Sequence, residues 1–163
     1  MKKKVIFVFL ILVIFGTVQV FAQQDKGYIK PTFSFGVLSL NPENGSKETM
    51  PGFAMDVDFV SSLGLTFGMQ IVFGWNDNIA ITNFPFGGGY TYTADSWSVG
   101  GKWMAVPPID GNSGGMGFDF NGTYYFYKDI GVTAGLSYFF SIGADDGEKW
   151  KIFGFKAGLS AKI

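Results

Sequence analysis

Along most of this chain, apolar residues take strict turns with small or polar ones. Ile130, Val132, Ala134, Leu136, Tyr138 and Phe140 fall on one face of an extended segment; Gly131, Thr133, Gly135, Ser137, Phe139 and Ser141 fall on the other. Successive side chains of a strand point to opposite faces, so a period of two predicts β-strands rather than amphipathic helices. The same alternation sets Leu63, Leu65, Phe67, Met69, Ile71 and Phe73 against Gly64, Thr66, Gly68, Gln70, Val72 and Gly74. It sets Phe53, Met55, Val57 and Phe59 against Ala54, Asp56, Asp58 and Val60. Met116, Phe118, Phe120, Gly122, Tyr124 and Phe126 alternate with Gly117, Asp119, Asn121, Thr123 and Tyr125. Near the C-terminus, Phe153, Phe155, Ala157, Leu159, Ala161 and Ile163 alternate with Gly154, Lys156, Gly158, Ser160 and Lys162. Weaker patterns over residues 33–37, 86–92 and 97–105 bring the predicted strands to eight.

Short polar turns at Ser61-Ser62, Ala94-Asp95-Ser96 and Lys128-Asp129 alternate with longer connections at 41–51, 75–83, 106–115 and 143–149. That rhythm predicts one antiparallel up-and-down meander. Strands of about 9–11 residues suit a tilted crossing of a bilayer. Proline cannot donate to a ladder and should avoid the strand interiors of a closed sheet. Pro42, Pro51, Pro107 and Pro108 are accordingly expected in loops, and Pro31 near the start of the first strand. Pro85 is expected at the loop end of the fourth strand or in a bulge, which leaves the boundary at 83–86 open.

The two faces differ in chemistry. The apolar face carries no charge in any of the eight predicted strands; the other is Gly, Ser and Thr with Asp56, Asp58, Gln70, Lys102, Asp119, Asn121 and Lys156, and with Lys162 near the end. A soluble barrel turns its apolar face inward and covers its exterior with charge. Here the polar face is too small and too rich in glycine for a solvated exterior, and fits the crowded lumen of a narrow barrel. The apolar face then meets lipid, where a Lys at mid-depth would cost about 2–4 kcal/mol. Trp75, Trp103 and Trp150 fall toward the long-loop ends, and Tyr28, Tyr92, Trp97 and Tyr124, with Tyr125 and Tyr127, toward the short-turn ends. Two interfacial aromatic belts are the expectation; aromatics of a soluble core are the alternative.

Composition narrows the function. The 163 residues include 24 Gly and 19 Phe, with 47% apolar and 15% charged residues, no Cys and no His. Charge is sparse against about 25% in ordinary soluble domains. Without Cys or His there are no disulfides, no thiol or imidazole catalysis and no zinc site of the usual ligand sets. Every basic residue is Lys and the net charge is -1, so nucleic-acid binding has neither its guanidinium forks nor its basic footprint. At the N-terminus Lys2, Lys3 and Lys4 precede an apolar run from Val5 to Phe15 and the small residue Ala22, the layout of a secretory signal peptide over residues 1–22. An uncleaved anchor is the competing reading. Cleavage would leave residues 23–163 with a net charge of -4.

The pattern resembles the small outer-membrane β-barrel proteins of bacteria, the eight-stranded class that includes the OmpX, OmpW and OmpA-barrel families. Its most specific element is the final strand: Lys156, Gly158, Ala161 and Ile163 are similar to the C-terminal sorting signal of such proteins, with Ile where Phe usually ends the chain. The resemblance implies an all-β fold, an eight-stranded antiparallel up-and-down transmembrane β-barrel preceded by a cleavable signal peptide. It implies residence in the outer membrane, contact with outer-membrane lipid, and delivery by the barrel-assembly machinery through the C-terminal strand. The short turns would lie in the periplasm and the long loops outside. Some barrels of this class are lipid-modifying enzymes that use His with Ser or Asp; this chain has no His to play that part.

Other candidate chemistry is thin. Asp110-Gly111-Asn112-Ser113-Gly114 has some features of a calcium loop, but its twelfth position is Asn121, which is not a carboxylate. Gly87-Gly88-Gly89 lacks the Lys-Ser/Thr of a phosphate loop. Asn44 and Asn121 head glycosylation sequons that a bacterial barrel would not use. Asp56 and Asp58 share a face, where lumen ion pairing outweighs acid–base work. The loop side carries Glu43, Glu48, Asp77, Asp110, Asp145, Asp146 and Glu148 against Lys47 and Lys149: a solvated acidic rim or, as the sharper alternative, one that divalent cations bridge to anionic surface groups. The expected function is a structural or surface role without catalysis, metal or cofactor. A narrow channel for small or apolar solutes, a surface-loop adhesin and a soluble lipocalin-like binder are the alternatives.

Overall fold

The structure is a computed structural model that describes residues 27–43, 45–77, 80–108, 114–142 and 149–163. The predicted signal peptide lies outside the described residues. Those residues form nine antiparallel strands: β1 (Tyr28–Pro42), β2 (Glu48–Val60), β3 (Leu65–Trp75), β4 (Ala80–Asn83), β5 (Phe86–Thr93), β6 (Trp97–Val106), β7 (Gly115–Tyr127), β8 (Ile130–Ser141) and β9 (Trp150–Ala161). Strands adjacent in sequence pair with one another except β4 and β5, which both pair with β3, and β1 pairs with β9, so the sheet closes on itself. Closure gives every strand but the short β4 two partners and satisfies the backbone of the wall in contact with lipid.

The ninth strand does not add a stave. β4 and β5 lie end to end on β3 in one register, with Val72 opposite Asn83 and Met69 opposite Phe86. Pro85 sits between them, fully buried, and its carbonyl still accepts the Gln70 amide at 2.8 Å. What is missing is the return bond, because proline has no N–H. The ladder is interrupted and the register is kept: this is one stave with a proline in it, rather than a loop followed by a strand, and the barrel has eight staves.

The staves run further toward the loop side than the alternation predicts. Pro42 ends β1 and Pro51 lies within β2 opposite Val37, although both were expected in loops. Pro51 is tolerated there because β3 joins β2 only from Gly52 onward. The first three long connections shrink accordingly to residues 43–47, 76–79 and 107–114, while the fourth spans 142–149. On the other side, the turn at Ser61–Gly64 is tight and Gly64 takes φ +84°, where a side chain would be strained. Between β7 and β8 the register shifts at Tyr125/Tyr127, so Phe126 and Tyr127 are both exposed.

The distribution of side chains is inverted relative to a soluble protein. Phe33, Phe35, Leu65, Val99, Phe120, Val132, Leu136, Phe155 and Leu159 are all about half exposed on the outer wall. Lys30, Asp56, Asp58, Lys102, Asp119 and Lys156 are buried inside. Toward the loop ends this inversion reverses. There Leu38, Met50, Met104, Val106, Phe139 and Ile152 are buried in the lumen, while the outward positions Asn41 and Lys151 are polar and exposed. At the loop-side rim the interior is therefore apolar, and where β1 meets β9 the exterior is polar.

Candidate functional site: the barrel lumen

The lumen is the one place where the fold concentrates chemistry, and its residues come from six staves. Lys30 is on β1, Asp56 and Asp58 on β2, Gln70 on β3, Lys102 on β6, Asp119 and Asn121 on β7, and Lys156 on β9. Period-two geometry aims all of them inward once the Phe and Leu positions face lipid. Lys102 Nζ reaches across the barrel to Asp58 Oδ1 at 2.5 Å, with Asp119 at 3.6 Å and Asp56 at 3.9 Å. Lys156 Nζ lies 2.9 Å from Asp119 and 3.1 Å from Asp56. Lys30 Nζ donates to Asn121 Oδ1 at 2.8 Å and lies 3.8 Å from Asp58. Gln70 donates to Asp56 at 2.7 Å. Three lysines thus balance three aspartates, and most links join strands that are not neighbours in the sheet.

All seven lumen residues named from the sequence lie in this network. Lys30 joins them from outside the segment 33–37: β1 begins at Tyr28, and the alternation continues back through Pro31 to turn Lys30 inward. Gly68 makes room for the network: a Cβ there would overlap the Asp58 carboxylate and approach Lys102 Nζ to 3.1 Å. On the turn side, hydroxyls continue the polar filling, with Thr32 against Ser160 at 2.6 Å, Ser160 against Thr133 at 2.8 Å, and Thr133 against Thr123. On the loop side, the apolar cluster of Leu38, Met50, Ala54, Val72, Met104, Val106, Phe139 and Ile152 fills the bore. Between the charged and apolar layers lies a cavity of about 20 Å³ lined by Ser34, Leu38, Gln70, Ser137 and Lys156. It has room for about one water molecule.

The aromatic residues divide. Trp75, Tyr92, Trp97, Trp103 and Tyr124 are 44–58% exposed on the outer wall. Tyr92 packs on Trp97 with ring centroids 5.4 Å apart, and Trp103 meets Phe118 edge-on at 4.3 Å. Two assigned belt residues face the other way. Trp150 has the parity of Ile152 and packs on the apolar cluster in the bore. Tyr28 has the parity of Lys30, and its hydroxyl shares a 2.7 Å hydrogen bond with Thr93 across the turn-side mouth. Tyr125 is also inward, 5% exposed, with the Lys162 ammonium 3.9 Å from its ring centroid. In each case residue type suggested lipid, and register put the ring inside.

Of the acidic rim, Asp110, Asp145, Asp146 and Glu148 lie outside the described residues. Glu43 pairs with Lys149 at 3.6 Å, and Glu48 accepts from Asn76 at 3.0 Å. Among the described residues, no group of carboxylates could hold a metal ion. In the final strand, Lys156 points into the lumen while Ala161 and Ile163 lie on the outer wall; Gly158 faces inward, packed against the backbone of β1 at Phe33 and Ser34.

No protein-family profile matches the sequence, and no characterised protein matches it significantly. Solved structures do match in three dimensions. Neisserial surface protein A superposes with a TM-score of 0.64, at 13% identity over 84% of this chain and 97% of that one. The fold is that of the small outer-membrane β-barrels. Ail, the attachment invasion locus protein of Yersinia pestis, solved in complex with the heparin analogue sucrose octasulfate, gives 0.54 at 11% identity over 83% and 99% of the two chains. The outer membrane protein OprG from Pseudomonas aeruginosa gives 0.50 at 9% identity over 86% and 97%. What the chain shares with them is the barrel, along nearly their whole length.

Proposed function

We propose that this protein is an integral outer-membrane barrel with a structural or surface role, closed to solute flow and without catalytic activity. One observation carries the reading: a neutral set of three lysines and three aspartates cross-links opposite walls of the lumen beneath a layer of packed apolar side chains. Ions and hydrated solutes would have to break ion pairs in one layer and open a dry core in the other. Asp56 and Asp58, the carboxylate pair that shares a face, are held by lysines, and neither lines the small cavity above them. A surface role accords with two structural relatives, one named as a surface protein and one as an attachment protein. The loop-side connections, four to eight residues long between strands, are short for an adhesive surface.

The test is electrical. Purified protein inserted into planar bilayers should give no discrete conductance steps above the bare membrane, and liposomes containing it should not swell in isotonic arabinose. Reproducible steps in the unaltered protein would favour the narrow-channel reading instead.

A further inference from the structure

At the turn-side mouth, beyond the ion-pair network, lies an open cleft of about 360 Å³ lined by Tyr28, Ser61, Ser62, Thr91, Thr93 and Lys162, with the exposed Tyr90 and Tyr92 at its outer edge. That volume lies within the range of small-molecule sites, about 300–1,000 Å³. Lys162 differs from the other inward lysines. Lys30, Lys102 and Lys156 each have a carboxylate within 4 Å, whereas Lys162 has none among the described residues and lies instead against the rings of Tyr125 and Tyr28, at 3.9 and 5.6 Å. Ring faces orient an ammonium without neutralising it, so its charge remains available. The carboxylate deeper in the bore, Asp58, is already committed to Lys102 and Lys30. The remaining lining is hydroxyl-rich, and the buried Ser61 hydroxyl has no hydrogen-bond partner among the described residues. Among the described residues that line it, Lys162 is the one cation, and a cation set among hydroxyls in a cleft of this size is suited to an anion with several acceptor oxygens.

We propose that this mouth binds a small oxyanion, the phosphate or carboxylate group of a solute, with Lys162 as the charged contact and the hydroxyls of Thr93 and Ser61 as neutral donors. Tyr28, fixed by its bond to Thr93, closes one side and keeps Lys162 in place. The site is separate from the closed lumen and does not require a conducting pore.

Amide NMR of the full barrel in non-ionic detergent tests it, titrating inorganic phosphate in one arm and acetate in the other. Saturable shifts of Gly64, Thr91 and Thr93 are expected in at least one arm, and the preferred arm identifies the class of anion. Because hydrogen bonds to a charged group contribute about 1.5–3 kcal/mol, Lys162→Met should weaken binding by about tenfold or more, and Lys162→Arg should largely retain it. Thr93→Val, which leaves the lysine in place, should weaken it by a few-fold. Non-saturating shifts in both arms, or equal affinity in wild type, Lys162→Met and Thr93→Val with the folded spectrum intact, would overturn the proposal.

Discussion

At the scale of single residues, the lumen is governed by the cost of burying charge. An ion taken out of water is tolerated only when partners replace its hydration, and removing one partner strands the other at about 3–5 kcal/mol. Lys102 is 3% exposed with three carboxylates within 4 Å. Lys102→Met should therefore lower unfolding stability in urea by about 3 kcal/mol, because Asp56, Asp58 and Asp119 would face two lysines instead of three. Adding Asp58→Leu restores the charge balance, so the double variant should be more stable than Lys102→Met alone. If the two losses simply add, the residues are not coupled and the network does not close the lumen as described. The polar members of this network were legible because alternation is a statement about faces, and seven of them share one. Tyr28 and Trp150 stand at strand ends, where residue type points to an interfacial belt and parity places the ring inside; Lys30 lies ahead of residues 33–37, where the alternation of the first strand becomes clear.

At the scale of elements, the strand centres were legible, and so were the loop-side ends of β6, β7 and β8, while those of β1, β2 and β9 were not. The alternation that marks a lipid-facing wall reverses in the rim: Leu38, Met50 and Ile152 turn inward while Asn41 and Lys151 turn outward. A reading that follows an apolar outer face ends where that face becomes polar, and it assigns the remainder to loops. The same reversal hid the apolar layer of the bore. Glycine supplies a test of the wall. Gly68 on β3 faces the ion pairs, whereas Gly88 on β5 is exposed on the outer wall, with its nearest neighbour to an added Cβ, the Thr66 carbonyl, 3.4 Å away. Gly68→Ala should cost about 1–3 kcal/mol through overpacking, while Gly88→Ala should be neutral or slightly stabilising, since alanine loses less backbone freedom on folding. Urea unfolding of the two variants side by side measures the contrast. Equal effects would mean that the glycines serve backbone curvature alone and leave no space for the lumen pairs.

At the scale of the whole molecule, the decisive property is which surface meets lipid. The sheet alone does not settle it, because a lipocalin-like barrel and a membrane barrel share closure and alternation. The side chains do: buried lysine and aspartate inside, half-exposed phenylalanine and leucine outside. The four tryptophans turn this into a measurement. Trp75, Trp97 and Trp103 are 51%, 44% and 45% exposed on the outer wall, while Trp150 packs inside the rim. Variants retaining one tryptophan each, with the others replaced by phenylalanine, can be folded into bilayers whose acyl chains carry bromine. Bromine quenches indole fluorescence on contact, so Trp97 and Trp103 should be strongly quenched. Trp75, at the loop-side end of β3, should respond most to bromine near the headgroups, and Trp150 should respond little at any depth. The contrast between Trp103 and Trp150 carries the argument, since both lie toward the loop end and differ in the face they occupy. Quenching of Trp150 as strong as that of Trp103 would put the rim's interior in contact with lipid, which a closed barrel does not allow. Failure of all four to quench, with protein recovered in the aqueous phase, would return the chain to the soluble-barrel alternative.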